Sequence, residues 1–208
     1  MAYDLEEQEE LDALKAWWRA NGNKVLAFLT VVFACFAAVQ GWKYYQNKKS
    51  IEASNEYQQL IQTDSKDLKA IQGISGQLID KYPSTPYAGR AALIAAKANY
   101  KAKDAKSAKA QLEWAIKNAK EEQIEAIARL QLAAIQYDEK NYDAALQTLS
   151  AKHAEGFDGL FADLKGDVLA AQGKKDEART AYKEALAKLD AQGKYRHYTE
   201  FKLEALGS

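Results

Sequence analysis

Between Lys24 and Lys43 the chain carries no charged residue. Val25 to Val39 is apolar except for Thr30, and Gln40, Gly41 and Trp42 extend the uncharged run to 18 residues. A helix of that length crosses a bilayer with modest thinning or snorkelling at its ends. A charge at its centre would cost about 2.5–3.5 kcal/mol, so a gap this long limits what the segment can become. Trp17 and Trp18 lie on one side of the run, and Trp42, Tyr44 and Tyr45 on the other. Such aromatic residues favour the two membrane interfaces, where Lys24, Lys43, Lys48 and Lys49 can extend toward head groups. The expected anchor residues are Val25, Leu26, Phe28, Leu29, Val31, Val32, Phe33, Phe36, Val39 and Trp42.

Three other fates for this run compete. A buried core helix fits its short apolar part but not the aromatic pairs at both ends. A cleaved signal peptide needs a short basic leader, whereas residues 4 to 12 hold Asp4, Glu6, Glu7, Glu9, Glu10 and Asp12. Val32-Phe33-Ala34-Cys35 distantly resembles a lipobox, yet Phe36 to Val39 stay apolar where a lipoprotein turns polar. The preferred reading is one uncleaved transmembrane helix.

The rest of the chain is long enough for a proper core. Only two prolines occur in 208 residues, and no run of alternating β-branched residues follows Val39. The expected class is all-α: a single N-terminal transmembrane helix followed by a tetratricopeptide-like α-solenoid of helical hairpins. The expected divisions are an acidic tail over 1–23, the transmembrane helix over 24–45, and a juxtamembrane helix with a first helical hairpin over 46–85. Repeats over 86–190 and a capping helix over 191–208 complete the chain.

The formal charge is zero but divided, −3 over the first 24 residues and +3 over the remainder. Neither suits a nucleic-acid binder, which needs a concentrated basic face. Cys35 is the sole cysteine and sits in the apolar run, so no intramolecular disulfide forms. Lys15, Arg19 and Lys24 precede the anchor, and Lys43, Lys48 and Lys49 follow it. This tie leaves the orientation open on charge alone.

Along the chain, Leu5, Leu11, Leu14 and Trp18 can share a helix face. After the anchor the helix should run on through Ser50 to Gln62, with Ile51, Tyr57, Leu60 and Ile61 as its buried face. Asp64 or Ser65 can cap a helix over Leu68 to Lys81, where Gly73 and Gly76 suggest close packing. Pro83 ends that helix, and Thr85 with Pro86 starts the next.

From there the chain repeats. Ala108, Ala145 and Ala178 each follow a short turn, at Lys103-Asp104, Lys140-Asn141 and Gly173-Lys174. Their intervals of 37 and 33 residues bracket the tetratricopeptide period of roughly 34. Twelve residues earlier stand Ala96, Ala133 and Gly166, and four later Leu112, Leu149 and Tyr182. Small residues let two helices of a hairpin approach, and the large one fills the layer between them. Seven after the alanines come Ala115, Lys152 and Ala185, where Lys152 departs from the small pattern. Tyr198, Phe201 and Ala205 are the expected packed face of a C-terminal cap.

Catalytic signatures are absent. His153 and His197 are far apart, without metal-ligand spacing, and read as surface or helix-end residues. No phosphate loop or nucleophile elbow occurs. The chain is therefore expected to be no enzyme and to need no cofactor or metal. In a tetratricopeptide array the first helix of each hairpin lines the concave face. The groove candidates are Arg90, Leu93, Lys97 and Tyr100, then Leu130, Ala134 and Tyr137, then Asp163 and Asp167. Such a surface suits an extended peptide or a partner's helix.

The order of parts resembles the YfgM family of ancillary subunits of the bacterial SecYEG translocon. Ala20-Asn21-Gly22 before the anchor and Gly41-Trp42-Lys43-Tyr44-Tyr45 after it carry the resemblance. So do Asp163-Leu164-Lys165-Gly166-Asp167 and Lys202-Leu203-Glu204-Ala205-Leu206. The resemblance implies a single-pass protein of the bacterial inner membrane, with a cytoplasmic N-terminus and periplasmic repeats. It implies contact with the SecYEG translocon, a PpiD-like periplasmic chaperone and nascent or unfolded periplasmic proteins. It also implies a link from the cytoplasmic tail to stress-response regulation in some members. The alternative is a general tetratricopeptide adaptor for envelope or cell-wall assembly with the same topology.

Overall fold

A computed structural model describes the backbone of residues 2–207 and the side chains of residues 7–207. The expected face residue Leu5 lies outside the described side chains. Nine α-helices and one 3-10 turn are present among the described residues, and no strand. The chain divides into two compact units, one ending at Lys49 and one beginning at Ser50.

Helix α1 (Ala2–Gln62) supplies all of the first unit and the start of the second. Its uncharged stretch has the length and composition to cross a membrane. Phe28 and Phe33 stay about two-thirds exposed, as lipid-facing side chains do (68% and 69%). The hydroxyl of Thr30, the one polar group in the apolar core, donates to the Leu26 carbonyl at 2.8 Å. That local bond satisfies the hydroxyl without a partner helix. Trp42 and Tyr45 pack ring to ring at 6.3 Å, and Lys49 Nζ lies 4.9 Å from the Tyr45 ring centre.

The second unit opens with the end of α1 packed against α2 (Leu68–Lys81) and α3 (Pro86–Lys101). Ala53, Tyr57 and Leu60 form the packed face, at the four- and three-residue steps of one helix stripe. Ile51 and Ile61 fall off that stripe and stay exposed, contrary to the sequence reading. Asp67, rather than Asp64 or Ser65, caps α2 by accepting from the Ala70 amide at 3.0 Å. Asp64 instead stabilises the preceding turn through the Lys66 amide. A Cβ on Gly73 or Gly76 would meet nothing within 4 Å, so neither glycine marks a close contact. The packed face of α2 is Ile71, Ser75 and Leu78. Thr85 does precede Pro86 at the start of α3, but its hydroxyl turns back to the Tyr82 carbonyl.

Three helical hairpins follow: α3 with α4 (Ala105–Asn118), α5 (Glu122–Asp138) with α6 (Tyr142–Leu149), and α7 (Asp158–Ala171) with α8 (Lys175–Lys188). The first helices also neighbour one another, α3 against α5 and α5 against α7. All seven repeat alanines and Gly166 are buried, as are Leu112, Leu149 and Tyr182. The three turns share one geometry. Lys103, Lys140 and Gly173 sit in the left-handed region at φ 65°, 60° and 80°. Each is followed by an amide bonded five residues back, Asp104 to Asn99, Asn141 to Gln136 and Lys174 to Leu169. This is the Schellman ending, which glycine adopts without strain and lysine at some cost.

Helix α6 stops at Leu149, so Lys152 lies beyond it and faces no helix partner; this is why a large residue is accepted there. The link to α7 contains the 3-10 turn Glu155–Phe157 and is held by His153. The His153 ring stacks on Phe161 with centres 3.5 Å apart, and its Nε2 lies 3.1 Å from Asp158. His153 is thus half-buried structural packing rather than a surface residue. Lys188 Nζ reaches the other Asp158 oxygen at 2.7 Å.

The hydrogen bond from Lys188 holds the Asp158 carboxyl below the usual carboxylate range, with His153 adding to it. A depressed folded-state pKa contributes stability above the unfolded pKa that disappears as pH falls through the folded one. Asp158→Asn is therefore expected to lower stability on the neutral side and to flatten the acid limb, the two curves converging as pH falls below about 4. Chemical denaturation at stepped pH checks this, and parallel acid limbs for the two proteins would contradict it.

Helix α9 (Lys194–Ala205) closes the array against α8. Its rotation differs from the expected one. Thr199, Lys202, Leu203 and Leu206 turn inward, while Tyr198 and Phe201 remain about 60% exposed (65% and 59%) and Ala205 also faces out. In this rotation Lys202 meets two carboxylates on α7, and Leu203 and Leu206 pack against the core of the last hairpin.

Candidate partner-binding groove

The face on which the sequence places a groove runs along the neighbouring first helices α3, α5 and α7, and α9 packs against α8 at its end. Small residues at positions such as Ala96, Ala133 and Gly166 bring the paired helices close. The more polar residues of the first helices are left along the groove.

The candidates from sequence fall into four groups. Arg90 is engaged: its Nε and Nη2 donate to both oxygens of Glu121 at 2.8 and 2.7 Å. That hydrogen bonding raises the Arg90 pKa against the opposing effect of burial. Leu93, Leu130 and Tyr137 are partly buried and pack against the hairpin cores. Burial, followed by the charge of Asp167, pushes the Tyr137 phenol up. Lys97 and Tyr100 are exposed, and Ala134 is half-buried between them and the core. The Tyr100 hydroxyl donates to Asp138 at 2.5 Å, and this bond raises its pKa.

Asp163 and Asp167 form the fourth group, at the far end of the face. Lys202 Nζ lies 2.7 Å from Asp163 and 2.8 Å from Asp167. The Thr199 hydroxyl donates to Asp163, and the Tyr182 hydroxyl to Asp167, both at 2.8 Å. Burial raises the Asp167 pKa, with Lys202 and Tyr182 pulling the other way. Burial pulls Lys202 down, but its bonds to the two carboxylates outweigh that and leave it raised. The acidic end of the face is therefore already satisfied by the chain's own last helix.

Between α3 and α5 the face opens into a cleft of about 400 Å³. Ala96, Leu112, Ala134 and Ile135 supply apolar lining, while Lys97, Lys101, Gln131 and Asp138 supply the polar groups around it. Lys101, Gln131 and Asp138 were missed in the sequence. Lys101 was recoverable there, because it lies one helical turn after Lys97. Among the described residues no group of three His, Cys, Asp or Glu side chains is placed to hold a metal ion.

A helical-hairpin solenoid of this kind is a protein-binding framework, joined here to a helix suited to a membrane. A tetratricopeptide repeat-like domain family matches residues 15–208. The ancillary SecYEG translocon subunit of Haemophilus influenzae is 33% identical over 189 residues, covering 89% of this chain and 91% of that protein. Its namesake from Neisseria gonorrhoeae is 31% identical over 211 residues, covering 99% and 100%. That of Escherichia coli K12 is 28% identical over 179 residues, covering 85% of each. No solved structure matches the chain significantly. The chain belongs to the family of ancillary SecYEG translocon subunits with tetratricopeptide-like repeats.

Proposed function

We propose that this chain is a non-enzymatic scaffold anchored in the bacterial inner membrane beside the SecYEG translocon. Its N-terminal tail is cytoplasmic, and its repeats face the periplasm. There they contact a PpiD-like chaperone and nascent or unfolded periplasmic proteins during export. The observation that supports this best is the extent of the likeness. The match to the Neisseria gonorrhoeae protein runs over 99% of the chain, so it includes the anchor as well as the repeats.

Site-specific photo-crosslinking in living cells tests the proposal. Probes at Trp42 and Tyr44 sit where the anchor leaves its apolar run, and both side chains are exposed. A third probe at Tyr100 samples the groove. Adducts to translocon subunits are expected at the first two positions, and to a chaperone or an exported chain at the third. Envelope- or cell-wall-assembly proteins in place of translocon subunits would replace this reading with that of a general adaptor. Cytoplasmic proteins at Tyr100 would reverse the orientation.

A further inference from the structure

The carboxylates of α5 and of the residues flanking it are largely engaged. Glu121 is held by Arg90, Glu125 by Arg129, and Glu139 by Lys109. Asp138 accepts from Tyr100. Lys97 and Lys101 have no carboxylate within salt-bridge distance among the described residues, and both are exposed at the cleft. They belong to the most basic part of the solenoid. Between Pro86 and Asn118 seven lysines and arginines face only Asp104 and Glu113, a net of +5. Between Glu122 and Leu149 the balance is reversed, five acids against Arg129 and Lys140.

The cleft joins this free positive charge to an apolar interior. Its volume of about 400 Å³ accepts a large aliphatic or aromatic side chain. Ala134 sets its width, since a larger residue there would fill it. We propose that the α3–α5 cleft is a docking subsite for an acidic–apolar peptide segment of a partner protein. One apolar side chain would enter between Ala134 and Tyr100, while a flanking carboxylate pairs with Lys97 or Lys101. The subsite specifies the groove contact in the function proposed above. An extended segment suits it, because side chains on alternate faces can present the apolar and acidic groups separately. A basic segment is disfavoured by the two lysines.

The test is fluorescence-anisotropy titration of the full-length protein in detergent. The probes are a short labelled peptide of leucine and glutamate, its leucine–lysine counterpart, and a glutamate–glycine peptide of equal charge. The leucine–glutamate peptide is expected to bind at least about tenfold more tightly than either other peptide, with affinity falling as salt rises. The K97E/K101E variant should remove that preference, and A134W should weaken binding by a similar factor. Circular dichroism establishes that each variant is folded, and the charge-reversed pair decides the matter if A134W is not. K175E/K183E reverses two exposed lysines on α8 and should leave binding unchanged. Equal binding of the leucine–glutamate and leucine–lysine peptides would overturn the proposal. So would equal losses in the two charge-reversed variants, or displacement of the peptide by anionic lipid vesicles. Failure of peptide binding with translocon adducts retained at Trp42 would reject this subsite alone. Peptide binding without those adducts would reject the translocon reading and leave the subsite standing.

Discussion

Gly166→Val is expected to lower the melting temperature of the repeat region by roughly 6–12 °C, corresponding to about 3 kcal/mol. Gly166 lies on α7 where Tyr182 of α8 crosses it, and an added Cβ would sit well inside van der Waals contact of Tyr182 Cδ1 and Cε1. The ring has nowhere to go. It is buried, and its hydroxyl is tied to Asp167 at 2.8 Å. Relief would require the two helices to part, which would also disturb Lys202. Gly73→Ala is the matched control: it too is a helical glycine, but with open space around its missing Cβ. There the gain in helix propensity should raise stability by about 0.5–1 kcal/mol. Thermal unfolding followed by far-ultraviolet circular dichroism reads both variants, and an unchanged melting temperature for Gly166→Val would refute the packing argument.

The second large effect concerns the anchor. Leu29→Arg together with Phe33→Arg should move much of the protein from carbonate-washed membranes to the soluble fraction. Each arginine near the helix centre costs about 2.5–3.5 kcal/mol, and the pair also loses two apolar side chains. The four-residue spacing places both charges on one side of α1, so a single favourable rotation cannot hide one while exposing the other. Leu14→Arg, outside the uncharged run, should leave the distribution unchanged. Retention of the double variant in washed membranes would refute a spanning helix formed by these residues.

What the sequence disclosed follows a physical division. Helix α2 was bounded correctly at Leu68 and Lys81, because its limits are set by local chemistry, a polar turn before it and Pro83 after it. The repeat alanines were legible as packing positions because close helix approach demands small side chains at a fixed interval. The candidate span was legible because exclusion of charge is a one-dimensional property. The faces of single helices were harder to read. Ile51 and Ile61 look like core residues in sequence, yet the stripe through Ala53, Tyr57 and Leu60 is the one that meets α2 and α3. Which stripe wins depends on neighbours, not on hydrophobicity alone.

The pairing of the groove candidates was not legible in the sequence. Arg90, Asp163 and Asp167 lie on the helices expected to form the concave face, but their partners are 31, 39 and 35 residues away. Pairing over such distances leaves no local sequence signal. The same holds for Tyr100 and Asp138, 38 residues apart. Once these pairs are removed, the free polar surface contracts to the region of Lys97 and Lys101. The face of the cap was hidden for a related reason: its aromatic residues look like the packing face, whereas the inward face holds Lys202 with its distant carboxylates and the packed Leu203 and Leu206.

The Lys202 bridge also carries a timetable. Asp167 precedes Lys202 by 35 residues in the chain. At elongation rates of roughly 5–20 residues per second, that interval is about 2–7 s. Throughout it, the newborn α7 has two neighbouring acids and not yet the ammonium group that will neutralise them. The last repeat therefore cannot complete its electrostatic assembly by growing stepwise from the preceding hairpins. A chain halted between these two residues would present an uncompensated acidic end, and arrival of the final helix would convert it to the closed form.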